Sequence, residues 1–140
     1  MLNEDDILSG TKLTPIKIGN KWGFADETEE MVIDAQFDYT EKFCEGLARV
    51  KIGNKWGFVD TTGNFAIKSD FDWAGNFSEG LAIAMAERKW GYIDKTGNFV
   101  IGPQFDFAGS FVDGLAIVKL GNKYNYIDKS GKIASSEWVQ

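Results

Sequence analysis

Histidine is missing from all 140 residues, and cysteine occurs once, as Cys44. Without His there is no Ser-His or Cys-His nucleophile pair and no ready zinc or haem ligand set. No catalytic centre, metal site or other cofactor is therefore expected. A lone cysteine cannot form an internal disulfide, so the fold is not stapled and suits a reducing compartment. No apolar run is long enough to cross a bilayer as a helix. The start, Met1-Leu2-Asn3-Glu4-Asp5-Asp6, is acidic where a secretory signal would be basic and then apolar. The expectation is a cytoplasmic chain with no membrane contact. Basic charge is also scarce: 15 Lys and Arg against 21 Asp and Glu leave a formal charge of −6, and the cations are scattered. A phosphate-tracking face for nucleic acid is excluded on that ground, and a basic partner fits better.

Aromatic residues make up 14% of the chain, and they recur. At a spacing of 34 residues, Trp22, Trp56, Trp90 and Tyr124 superpose inside Lys-Trp-Gly-Phe, Lys-Trp-Gly-Phe, Lys-Trp-Gly-Tyr and Lys-Tyr-Asn-Tyr. The same offset aligns Asp26, Asp60, Asp94 and Asp128, then Phe37-Asp38, Phe71-Asp72 and Phe105-Asp106. It also aligns Gly46-Leu47-Ala48, Gly80-Leu81-Ala82 and Gly114-Leu115-Ala116. Counting from that glycine, one domain over 12–140 divides into repeats 12–45, 46–79, 80–113 and a truncated 114–140, with residues 1–11 outside the pattern.

Helical repeats share this period, so alternation has to decide the local structure. In Ala48-Arg49-Val50-Lys51-Ile52 apolar residues fall at every second position, as in a strand with one buried face. Gly53-Asn54, like Gly19-Asn20 and Gly121-Asn122, reads as a two-residue type II′ hairpin turn, because glycine takes positive φ without steric cost. The return strand places Trp56 and Phe58 on one face with Gly57 and Val59 on the other, and Gly57 is expected to admit a close neighbour. Asp60-Thr61-Thr62-Gly63-Asn64 then reads as a turn, and Phe65-Ala66-Ile67 as the third strand of a meander. The expected architecture is all-β: stacked 34-residue meander repeats in an elongated array, with a small four-bladed propeller as the alternative.

The departures from the pattern carry expectations of their own. Glu29 stands where the other copies have Gly63, Gly97 and Gly131, so that turn should differ. Glu87-Arg88 replaces Gly-Asn in the third copy. In the fourth, Tyr124-Asn125 replaces Trp-Gly before a polar end at Ser135-Ser136-Glu137.

With Asn54-Lys55-Trp56-Gly57-Phe58-Val59-Asp60-Thr61-Thr62-Gly63-Asn64, Phe71-Asp72 and Ser78-Glu79-Gly80-Leu81-Ala82, the chain resembles the bacterial WG-repeat (KWG-repeat) family over about residues 12–134. The resemblance implies a tandem all-β module that binds other molecules and has no shared catalytic site. The family's proline before Phe-Asp is present as Pro103, with Ala35 and Ser69 in its place elsewhere.

Acidic pairs such as Asp72 with Glu79 or Asp106 with Asp113 recur in every copy, as turn formers or partners of the recurring lysines would, whereas a hydrolase needs one singular pair. Positions that vary between copies are the ones free to contact a partner. Tyr39, Trp73 and Phe107, one residue after each Phe-Asp, keep ring character while changing identity. Arg49, Met85, Glu87 and Arg88 vary as well and could share a rim. The reading that follows is a non-catalytic protein-protein interaction module, with a glycan-binding ladder on the three rings as the alternative. An end repeat could also pair with a second copy through an open strand edge.

Overall fold

Strand alternation and turn residues translate directly into the backbone of the computed structural model, which describes residues 12–140. Among these residues there is no helix, and every sheet is antiparallel. The chain divides between Asp70 and Phe71 into two compact halves.

The first half opens with a three-stranded sheet of β1 (Thr14–Ile18), β2 (Lys21–Ala25) and β3 (Met31–Phe37). A four-stranded sheet follows, formed in order by β4 (Tyr39–Thr40), β5 (Ala48–Ile52), β6 (Lys55–Val59) and β7 (Phe65–Phe71). Two expectations are corrected here. The repeat is a four-stranded sheet, because the residues after Phe-Asp add a two-residue strand beside the meander. Its last strand also runs to Phe71 and does not stop at Ile67.

The longer strand explains the glycine of Trp-Gly-Phe. Trp22 pairs with Phe37 and Phe24 with Ile33, so Gly23 alone faces the bulged residues Asp34, Ala35 and Gln36. At the corresponding Gly57, an added Cβ would lie 2.6 Å from the Ile67 carbonyl oxygen and the Ser69 nitrogen. The bulge lies over the glycine, and a side chain would strike main chain. Ala35, Ser69 and Pro103 all fall in these bulges, where a missing N–H is tolerated.

The core of the first half is Phe24, Ile33, Phe37, Phe43, Val50 and Val59, with Trp22 against its side. Phe24 and Phe43 lie 4.7 Å apart by ring centroid, and each buried ring is worth roughly 1.5–3 kcal/mol.

The second half repeats the plan. One sheet is β8 (Trp73–Ala74), β9 (Ala82–Ala86), β10 (Lys89–Ile93) and β11 (Phe99–Phe105); the other is β12 (Phe107–Ala108), β13 (Leu115–Leu120) and β14 (Lys123–Asp128). Its core includes Tyr92, Ile101, Phe105, Phe111, Val118 and Ile127, with Trp90 and Trp138 packed against it. Beside β14 the chain returns without a regular third strand. It bridges only at Ile127 with Ile133 and at Tyr124 with Val139. Asn125 sits where earlier copies have glycine, and its buried amide donates to the Ser135 carbonyl at 2.8 Å.

The hairpin turns at Gly19, Gly53 and Gly121 have positive φ at the first residue alone, the type II′ pattern. Glu87 and Arg88 both have positive φ, the type I′ pattern, built from residues that disfavour it. The expected difference at Glu29 is absent. Glu29 adopts φ 69° and its N–H donates to the Asp26 carbonyl at 3.1 Å, as Gly63 does to Asp60 at 3.0 Å. The Asp26 side chain holds the same turn, so the backbone keeps its shape and the glutamate bears the strain.

Candidate interaction surface

The cross-strand register decides what the variable rings do. In the first half Tyr39 of β4 lies opposite Lys51 of β5, and Lys51 lies opposite Trp56 of β6, so one sheet face carries a ring–lysine–ring row. Tyr39 is the shared member of two edge-on ring pairs, 5.9 Å from Trp22 and 5.9 Å from Trp56. It remains 36% exposed. In the second half Trp73 and Trp90 flank Met85 in the same way, with centroids 5.2 Å apart; Phe107 stands 6.4 Å from Trp90 and is 45% exposed. Phe107, Lys119 and Tyr124 form a further row, with the Lys119 ammonium 5.6 Å from the Tyr124 ring centroid.

Tyr39, Trp73 and Phe107 are thus neither fully buried nor free. Tyr39 is inserted between two rings, whereas Trp73 and Phe107 each pack edge-on against Trp90, and all three keep part of their surface in solvent. Arg49 stands beside the row of the first half, opposite Phe58 in register: its guanidinium is 4.9 Å from the Trp56 ring centroid and donates to Glu41 at 2.8 Å. Tyr39 donates its hydroxyl to the other Glu41 oxygen at 2.8 Å, and that bond raises the tyrosine pKa above its ordinary value. Met85 is in a row, whereas Arg88 sits at the exposed β9–β10 hairpin tip. Arg49 and Met85 therefore belong to strand faces and do not join the hairpin rim.

Sequence reasoning missed Glu41, Lys51 and Lys119. A signal for Glu41 was present: Glu41 and Arg49 occupy the positions of Gly75 with Ile83 and Gly109 with Ile117. In those copies the isoleucine fills the space over the glycine, leaving 2.7 Å or 3.0 Å to an added Cβ. An acid and a base replace a small and a large apolar residue together.

The WG containing repeat profile matches residues 22–56, 56–90 and 90–124. The chain belongs to the WG containing repeat family. Curated proteins compared with it yield no match.

In these WG repeats the recurring carboxylates hold the backbone. Asp60 accepts the Thr62 hydroxyl and the N–H groups of Thr62 and Asn64, and these bonds hold its pKa below the ordinary aspartate value. Asp26, Asp94 and Asp128 do the same in their own turns. Asp38 accepts the Lys21 ammonium at 2.6 Å and the Gly53 N–H at 2.6 Å, tying one WG strand to the next hairpin; Asp106 repeats this with Lys89 and Gly121. Glu79 spans the repeat, accepting the N–H groups of Asp113 and Gly114. Among the described residues no group of three or more His, Cys, Asp or Glu is arranged to hold a metal ion, and no helix is long and apolar enough to cross a membrane.

Proposed function

We propose that this chain is a non-catalytic, protein-binding WG-repeat module whose contact surface is the aromatic rows, with Arg49 and Met85 beside the rings. The observation that carries the reading is the edge-on packing of partly exposed rings at 5.2–6.4 Å. A sugar stacks on an open ring face, and here faces are turned toward neighbouring ring edges. What remains at the surface is ring edge, the Tyr39 phenol, guanidinium and thioether, the residue types enriched in protein interfaces. The rings are held by their neighbours, so binding costs little side-chain ordering. A charge of −6 favours a basic partner through long-range attraction. The single cysteine suits a cytoplasmic setting.

The test is cross-linking and co-purification of the full chain, followed by affinity measurement with Tyr39→Ala, Trp73→Ala and Arg49→Ala. Loss of roughly tenfold or more in affinity for one defined protein, as for hot-spot residues, supports the reading. Saturable oligosaccharide binding that Trp73→Ala abolishes, with no protein partner recovered, refutes it in favour of a glycan ladder.

A further inference from the structure

A two-residue turn joins each repeat to the next: Glu45-Gly46, Glu79-Gly80 and Asp113-Gly114. All three have positive φ at both residues, 54° and 85°, 54° and 84°, and 53° and 82°, the type I′ pattern. Across the last of them Val112 and Leu115 exchange both main-chain hydrogen bonds, at 2.9 and 3.1 Å. The backbones match, but the acid before the glycine is one methylene shorter in the third turn.

That methylene decides a reaction. From Asp113 the side-chain carboxyl carbon and the Gly114 nitrogen can close a five-membered succinimide ring, and glycine has no side chain to obstruct it. From Glu45 or Glu79 the ring would have one more member and closes far more slowly. Asp113-Gly114 is the one Asp-Gly pair in the sequence, and no Asn-Gly pair occurs.

The folded geometry opposes closure. A type I′ turn sets ψ of its first residue at about +30°. The Gly114 nitrogen then lies almost opposite the Asp113 side chain about the Cα–C bond, whereas the ring needs the two eclipsed. Closure therefore requires the 113–114 peptide plane to swing by roughly 150°. Glu79 resists that swing: one carboxylate oxygen accepts the Asp113 N–H at 2.6 Å, and the other accepts the Gly114 N–H at 2.9 Å. Lys129 holds the second oxygen at 3.3 Å.

We infer that Asp113-Gly114 is a site of spontaneous aspartate isomerisation whose rate is set by the Glu79 carboxylate. The Gly114 nitrogen bonds to the Asp113 carboxyl carbon, and the protonated carboxyl loses its hydroxyl, which leaves as water with the amide proton. Water then opens the ring. Cleavage at the side-chain carbonyl restores aspartate; cleavage at the main-chain carbonyl leaves isoaspartate, with a free α-carboxylate and the chain running through Cβ and Cγ. Nothing is oxidised or reduced, and water is the sole co-reactant. The added main-chain carbon does not fit a two-residue turn, so the product loses the paired bonds to Glu79 that tie residue 79 to the 113–114 turn. The site is apart from the aromatic rows, and this inference and the binding reading fail independently.

The test is incubation of the full chain in mildly acidic buffer, with digestion at intervals and location of isoaspartate by fragmentation mass spectrometry. Product at Asp113 is expected, forming more slowly in the folded chain than in the same chain held unfolded in denaturant. Glu79→Ala should raise the folded rate about tenfold, because the swing no longer breaks a hydrogen bond to a charged acceptor. Glu79→Gln, which keeps one acceptor oxygen, should fall between. Asp113→Glu, the residue type of the other two turns, should abolish the product. A near-ultraviolet circular dichroism spectrum matching the parent's verifies folding, and Glu79→Gln decides the question if Glu79→Ala does not fold. No isoaspartate at Asp113 in the folded chain after the unfolded chain has converted, equal folded and unfolded rates, or the parent rate in the folded Glu79 variants would each overturn the inference.

Discussion

Replacing Gly57 by alanine tests whether the WG glycine exists for the bulge. The new Cβ would stand 2.6 Å from the Ile67 oxygen and the Ser69 nitrogen and 2.7 Å from the Lys68 carbonyl carbon, where ordinary contacts begin at 3.4 Å. The deficit is about 0.8 Å against three main-chain atoms of the 67–69 bulge, so no rotamer change relieves it. The bulge has to move, although Ile67 beside it is buried. Overpacking of this kind costs about 1–3 kcal/mol, and the rigidity of backbone puts it at the upper end. Alanine returns about 0.4–1 kcal/mol by restricting the unfolded chain. The net loss is about 2 kcal/mol. If the first half melts as its own cooperative unit, that is a fall of about 8–16 °C. Calorimetry of the parent and the Gly57→Ala chain reads it directly. A melting temperature within about 2 °C of the parent would refute the argument, since the loss would then be under about 0.5 kcal/mol.

The remaining predictions concern turns and charge. Glu29→Gly should stabilise the chain by about 1 kcal/mol, because it removes a left-handed non-glycine residue without altering the turn; denaturant midpoints check it. The double change Glu87→Asn with Arg88→Gly should add about 1–2 kcal/mol by supplying the residues a type I′ turn prefers, read by the same titration. Asn125→Ala should cost about 0.5–1.5 kcal/mol, since it removes the hydrogen bond to the Ser135 carbonyl, and loss of amide protection in residues 133–139 would locate the effect. Asp26, Asp60, Asp94 and Asp128 have folded pKa values lowered first by the Thr or Ser hydroxyl two residues on. Their stabilising contribution is complete above the unfolded aspartate pKa and is lost as pH falls through the lower folded values. Melting temperature should therefore drop as the pH falls from the unfolded aspartate pKa through the folded values, and the drop should be smaller in Thr62→Val.

The strand pattern was legible because it depends on local physics. Ala48 to Ile52 alternates, Gly53 supplies the positive φ, and Asp60 accepts bonds from residues two and four positions on, all within a few residues of sequence. Glu29 misled for a related reason: propensity predicts what a residue prefers, whereas the turn was held by its Asp26 neighbour and overrode the preference. Tyr39, Trp73 and Phe107 stand out as a series from their spacing alone. Their half-exposed, interleaved placement was not legible, because it depends on ring contacts 17 residues apart, such as Trp22 with Tyr39 and Tyr39 with Trp56.

Sequence by itself determined the repeat, its period of 34 residues, its all-β character and the class of residue at each turn, since these follow from spacing and short-range sterics. Only the tertiary structure decided that the glycine of Trp-Gly-Phe answers to a bulge, that Glu41 pairs with Arg49, and that Tyr126 is open while Tyr92 is closed. Those outcomes depend on which backbone or ring arrives from a distant part of the chain. A side chain with the same identity is core or surface according to whether that neighbour is there.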